Sequence, residues 1–196
     1  MAEPAGFLPR DRLDALTDGV YAFAMTLLVI NLELPDDFHP TGPGDLIKAL
    51  LDLQGTLIAY VVTFLVLAVF WLGRARPRDG SEVVSSAFTW AVLGQLFFIT
   101  CMPFSMMVLG RFELSPAIWL YAANMTLCAA LAILISYLDE RDNGRPSTDS
   151  GRFELGVLIA SALASGVISL FSPGHAMWAY FLNFAAPPLK RLLGRG

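Results

Sequence analysis

Apolar residues fall into six long runs along this chain, at about residues 12–34, 46–73, 82–109, 114–138, 153–171 and 174–192. Polar and turn-forming stretches separate them: "PDDFHPTGPGD" after the first, "RARPRDGSE" after the second, "RFELSP" after the third and "DERDNGRPSTDSGR" after the fourth. "SPG" makes a tight turn before the last run, which ends at Pro187-Pro188. No strand-like alternation competes with the helical pattern. Such runs predict helices that cross a bilayer, because a spanning helix satisfies its own backbone hydrogen bonds where water is absent. The expected fold is an all-α integral membrane protein, with residues 1–196 forming one domain of six transmembrane helices.

The first run is unusual. Its unbroken apolar part, Gly19 to Ile30, reaches only about 18 Å at about 1.5 Å per residue, against about 30 Å of hydrocarbon. To span, this helix must also take in Arg12, Asp14, Thr17 and Asp18 at one end and Asn31 at the other. Leu16, Val20, Phe23, Leu27, Ile30 and Leu34 recur at spacings of three and four, which makes one apolar stripe. Ala15, Gly19, Ala22 and Thr26 make a neighbouring stripe of small residues that admits a close helix partner. Two readings of Asp18 stand open. An ionisable residue within a span faces protein or a water-filled cavity, or Thr17 and Asp18 cap the helix start at the membrane boundary.

Composition agrees with a membrane protein: 56% of residues are hydrophobic, 15% are charged and the mean hydropathy is +0.60. Charge sets the orientation. With the N-terminus inside, the inner segments hold 11 of the 13 basic residues, and only Lys48 and Arg111 fall outside. That bias predicts both termini in the cytoplasm. The outer first loop gathers Glu33, Asp36, Asp37 and Asp45, either an acidic rim that concentrates cations or an ordinary solvated loop.

Chemistry outside the first helix is sparse. Cys101 and Cys128 sit in apolar runs without metal-ligand spacing and read as buried thiols. His39 and His175 have no second ligand beside them, so no metal site is expected. Ser161, Ser165 and Ser169, with Gly156, Ala160 and Ala164, read as close-packing small residues rather than nucleophiles. Gln95 and Asn124 are expected to bond neighbouring helices, and Trp119, Tyr121, Trp178 and Tyr180 to form an interfacial aromatic belt. No removable signal peptide, nucleotide loop or nucleic-acid face is seen.

The motif R-x-x-x-F-S-D, then G-V-x-A-x-A-x-T-L-L-V, opens the first helix of the prokaryotic transmembrane protein 175 family of potassium channels, and this chain resembles it. Here it reads Arg12, Leu16-Thr17-Asp18, Gly19-Val20, Ala22, Ala24 and Thr26-Leu27-Leu28-Val29. "FLVLAVFWLGR", with Trp71, is similar to the family's second helix, and "LFFITCMPFSMMVLG", with Pro103-Phe104, to its third. "AIWLYAANMTLCAALAILISYL" is similar to the fourth; the last two helices match mainly in length and hydropathy. Leu16-Thr17 stands where the family has Phe-Ser, Phe23 where it commonly has a smaller aliphatic residue, and Gly73-Arg74 where it often has histidine.

The resemblance implies a homotetramer of six-helix subunits whose first helices line a central potassium-permeable pore in a bacterial plasma membrane. By position, Phe23, Leu27 and Ile30 would form an apolar constriction in place of a carbonyl selectivity filter. Thr26 and Asn31 would line the pore or form a polar ring, and Arg12, Thr17, Asp18 and Trp71 would join helices and subunits. No cofactor beyond the permeant potassium ion, no nucleic-acid partner and no enzymatic activity are expected. The alternatives are a small secondary transporter with Asp18 as its coupling-ion site, or a non-conducting scaffold. Broken half-helices favour a transporter, and the first run holds no proline before Pro35.

Overall fold

The structure is a computed structural model that describes residues 8–34, 38–75, 83–112, 114–143 and 151–183. The chain runs through β1 (Leu8–Pro9), α1 (Arg10–Leu28) with a 3-10 turn (Val29–Asn31), α2 (Pro43–Asp52), α3 (Gln54–Ala75) and β2 (Val83–Val84). It continues through α4 (Ser86–Thr100), α5 (Met102–Phe112), α6 (Ser115–Asn143), α7 (Arg152–Ser169) and a 3-10 segment (Pro173–Phe181). Among the described residues, five helical stretches are long and apolar enough to cross a membrane: Arg10–Asn31, Gln54–Arg74, Ser86–Phe112, Ser115–Asn143 and Arg152–Ser169. The chain is a multi-pass membrane protein.

Four departures from the sequence expectation have local causes. The second run divides at Leu53, between α2 and α3; α2 buries none of its residues, and its Leu46, Ile47, Leu50 and Leu51 are exposed, with Lys48 among them and Asp45 and Asp52 on either side. The third run kinks at Cys101, where Pro103 cannot supply the amide that would bond Ile99; the Cys101 amide reaches back to the carbonyls of Phe97 and Phe98 at 3.3 and 3.2 Å instead. A short antiparallel bridge pairs Leu8 with Val84 and Pro9 with Val83, although no strand was expected. The sixth run, 174–192, begins as the 3-10 segment, and its residues 184–192 lie outside the described residues.

α6 is the central post. Its buried residues recur as Ala117-Ile118, Tyr121-Ala122, Asn124-Met125 and Cys128-Ala129, then Ile135 and Leu138, a helical repeat that keeps one broad face inside. α7, α4 and α5 pack around it, and α3 packs on α5. Glycine sets two of these approaches. A Cβ at Gly166 on α7 would stand 3.0 Å from three ring atoms of Trp119 on α6, and one at Gly110 on α5 would stand 2.9 Å from Thr56 Cγ2 on α3.

Polar residues in the interior tie helix to helix. Gln95 Nε2 donates to the Cys128 carbonyl at 3.3 Å and Asn124 Nδ2 to Ser105 Oγ at 3.2 Å. Thr63 donates to the Ala59 carbonyl at 2.6 Å, so in its 2.7 Å contact with the Tyr121 hydroxyl the tyrosine is the donor. The aromatic belt needs correcting here. Tyr121 and Tyr180 are fully buried and meet edge to face at 5.5 Å, whereas Trp119 and Trp178 are exposed. Two positions along a helix turn a side chain by about 200°, so Trp119 and Tyr121 face opposite ways.

Candidate functional site

α1 packs against α3, α4 and α5 with one side only. Leu13, Thr17, Tyr21, Ala24 and Leu28 are buried, and at about 100° per residue they share one side of the helical wheel. Opposite them, Arg12, Ala15, Leu16, Gly19, Ala22, Phe23, Thr26 and Ile30 are all exposed. Phe23 and Ile30, at 65% and 62% exposure, are among the most open large apolar side chains of the chain. A Cβ added at Gly19 would meet nothing within 4 Å. The small-residue stripe is therefore uncovered by the described residues, and the apolar stripe divides: Leu16, Phe23 and Ile30 are exposed, whereas Val20, Leu27 and Leu34 are half-buried and Val20 packs on the core.

The residues singled out in the sequence divide by their place on this wheel. Phe23, Thr26 and Ile30 stand together on the uncovered face. The Thr26 hydroxyl donates to the Phe23 carbonyl at 2.8 Å, so its hydrogen is held by the helix and its oxygen lone pairs are what it offers outward. Leu27 lies on the flank, about 60° from Ile30 on an ideal wheel, and is half-buried. Asn31 turns away from that face. Its amide donates to the Pro103 carbonyl at 3.2 Å and to the Leu28 carbonyl at 3.3 Å, which joins the end of α1 to the kink before α5.

At the other end, Trp71 Nε1 donates to Asp18 Oδ1 at 2.8 Å and ties α3 to α1. Asp18 is exposed beside this bond. Thr17 is 2% exposed and donates to the Leu13 carbonyl at 2.8 Å, so its hydroxyl is satisfied inside its own helix. Arg12 is exposed and forms no ion pair with another described residue. Of the four residues expected to form a network, one chain brings together Asp18 and Trp71. Arg10, two residues earlier, takes the ion pair instead: its Nη2 meets Asp139 Oδ1 at 2.5 Å. Periodicity gave no sign of this, because the partner lies 129 residues away.

No group of three or more His, Cys, Asp or Glu side chains suited to a metal ion occurs among the described residues. The charged pairs lie at the two ends of the bundle. Arg111 and Glu33, 3.2 Å apart, mark the end opposite Arg10.

Comparison with known proteins gives this face a context. Residues 12–103 match the family model described as endosomal/lysosomal potassium channel TMEM175. A potassium channel of Streptomyces collinus is 31% identical over 101 residues, 52% of this chain and 48% of that protein. One from a Chryseobacterium species is 23% identical over 181 residues, covering 89% of this chain and 90% of its own length. A third, from Chamaesiphon minutus, is 29% identical over 105 residues, 54% of this chain and 51% of that protein. The chain thus spans about half the length of two of these three relatives.

Among solved structures, the fold is similar to that of a lysosomal potassium-selective channel TMEM175 homolog from Chamaesiphon minutus. The TM-score is 0.64 at 22% identity, over 90% of this chain and 95% of that one. It is also similar to a variant of the potassium channel MtTMEM175, with a TM-score of 0.56 at 16% identity over 100% and 98% of the two chains. The match over residues 12–103 includes the first-helix motif, so the chain is similar to TMEM175 channels over that stretch, as the motif implies.

Proposed function

We propose that this chain belongs to the TMEM175 family and is one subunit of a homotetrameric, potassium-permeable channel whose pore is lined by α1. The observation that carries the reading is the uncovered α1 face, apolar and small-residued, on the helix that bears the family motif. The relatives described as potassium channels support the permeant ion. In this reading four copies of α1 meet about a central axis, both termini are cytoplasmic, and a sixth span over 174–192 completes each subunit in the bacterial plasma membrane. The protein performs no chemistry, and potassium is its only small ligand.

Phe23 and Ile30, separated by about 10 Å along the helix, present apolar rings to the axis, with Leu27 swinging in from the flank. Between them Thr26 offers its oxygen lone pairs. A narrow apolar ring gates by dewetting, since a cation inside it has nowhere to keep its water. Opened slightly, the ring favours the ion that is easier to dehydrate, which is potassium rather than sodium. The Asp18–Trp71 bond holds the first turns of α1 against α3, and Asn31 holds its last turn against α5. Arg12, exposed on the α1 face and without an ion pair to another described residue, is left for the neighbouring subunit, while Thr17 faces the bundle on the other side of the helix.

The test is ion flux from vesicles that contain the purified full chain, loaded with potassium and then with sodium. Passive flux that favours potassium and needs no coupled ion is the expected result. Flux that requires a proton gradient, or saturates at carrier rates, would replace the channel with a transporter that uses Asp18.

A further inference from the structure

We propose that the polar C-terminal turns of α6 are a positioning hub for the helices around them, with Arg10 and Asp139 as the positioning residues for α1. The inference rests on the reading of α1 as the pore helix. α6 has 29 residues, about 43 Å of helix, so it outreaches a hydrocarbon core of about 30 Å by roughly two turns. Those turns carry Asp139, Glu140 and Asp142.

Each of the three acidic residues receives a different helix. Arg10, the first residue of α1, pairs with Asp139, and the two side chains are only 14% and 20% exposed. Ser85, which caps the start of α4, donates to Asp142 Oδ2. Arg152, the first residue of α7, meets Glu140 Oε2 at 2.6 Å. Positions 139 and 142 lie about 60° apart on one side of α6 and position 140 about 100° from 139, so α1 and α4 attach side by side and α7 to another side.

The α1 attachment is the most built. The Arg10 guanidinium also lies over the Phe88 ring, 5.4 Å from its centroid. Asn143 Nδ2 donates to Asp139 Oδ1 at 3.0 Å and to the Asp139 carbonyl at 2.9 Å, which orients the carboxylate that receives Arg10. The Leu8–Val84 bridge ties the chain just ahead of α1 to the chain just ahead of α4. A partly buried ion pair that loses one member strands the other, so the first turn of α1 has one favourable seat. An α-helix is stiff, and displacement at Arg10 is carried to Phe23, about 20 Å along.

The experiment uses the full chain in vesicles and compares Asp139→Arg with the charge swap Arg10→Asp/Asp139→Arg. Potassium flux is expected to fall about tenfold in the single variant and to return to within about threefold of wild type in the swap, as for directly coupled groups. Hydrogen exchange of residues 10–16 is the second reading, made on Asp139→Asn, with Arg10→Lys as the conservative control. Exchange should quicken in the first and stay near wild type in the second. Unchanged exchange in Asp139→Asn overturns the hub. Faster exchange in Asp139→Asn with unaltered flux in Asp139→Arg overturns its role in placing the pore helix, as does a swap that does not restore flux. Wild-type vesicles that pass no potassium overturn the channel reading instead, while the exchange result still decides the hub.

Discussion

Trp71→Phe removes one hydrogen-bond donor and leaves the ring. In the wild type, the indole N–H reaches Asp18 Oδ1 at 2.8 Å, joining α3 to α1. A hydrogen bond to a charged acceptor is worth about 1.5–3 kcal/mol net where it is sheltered. Asp18 is exposed, so solvent screening brings the expectation down to about 1 kcal/mol. For a domain of this size a loss of about 1 kcal/mol lowers the melting temperature by about 2–4 °C. Thermal unfolding in detergent, read by intrinsic fluorescence or light scattering, measures it. Asp18→Asn should cost a similar amount, since the amide oxygen is a weaker acceptor. The double variant then decides the matter, because two changes on one bond do not add. A double variant whose loss equals the sum of the single losses, within about 0.3 kcal/mol, would refute a direct bond between the two side chains.

In the proposed pore Leu27 narrows the path from the flank, so Leu27→Ala should raise sodium flux relative to potassium in vesicles; an unchanged ratio removes it from the constriction. Gly166→Ala places a methyl group 3.0 Å from the Trp119 ring and should lower stability by about 1–3 kcal/mol, seen as an earlier thermal transition. Asp45 accepts hydrogen bonds from the Thr41 hydroxyl and, at 3.0 Å, from the Thr41 amide. The hydroxyl bond is the larger cause that holds its carboxyl below the ordinary 3.8. A depressed carboxyl favours the folded start of α2 above that ordinary value and loses its effect as pH falls through the folded one. Protection of residues 43–47, taken relative to the intrinsic exchange rate at each pH, should therefore fall in strong acid, and Asp45→Asn should show the low protection at every pH.

The membrane class, the uneven spread of basic residues between alternate connecting segments and the first-helix motif were all readable from linear order. Each depends on composition or on spacing within one helix: apolar length, charge count, periodicity of three and four. The same local logic picked out Phe23, Thr26 and Ile30, because residues at such spacing share a face whatever surrounds the helix. It could not say whether that face was covered. Burial depends on which helices arrive from elsewhere in the chain, and here α3, α4 and α5 all arrive on the other side of α1.

Tertiary structure alone decided the partners. Trp71 meets Asp18 across 53 positions, Asn31 meets Pro103 across 72 and Arg10 meets Asp139 across 129, and no periodicity encodes such separations. It also sorted residues that look alike in sequence: Arg10 is paired and Arg12 exposed, Tyr121 is buried and Trp119 exposed. The physical reason is the same in each case. A helix repeats every 3.6 residues, so one or two positions turn a side chain to another neighbour. The chain by itself determined that α1 has a special face; the packing of the other helices determined that this face is left open.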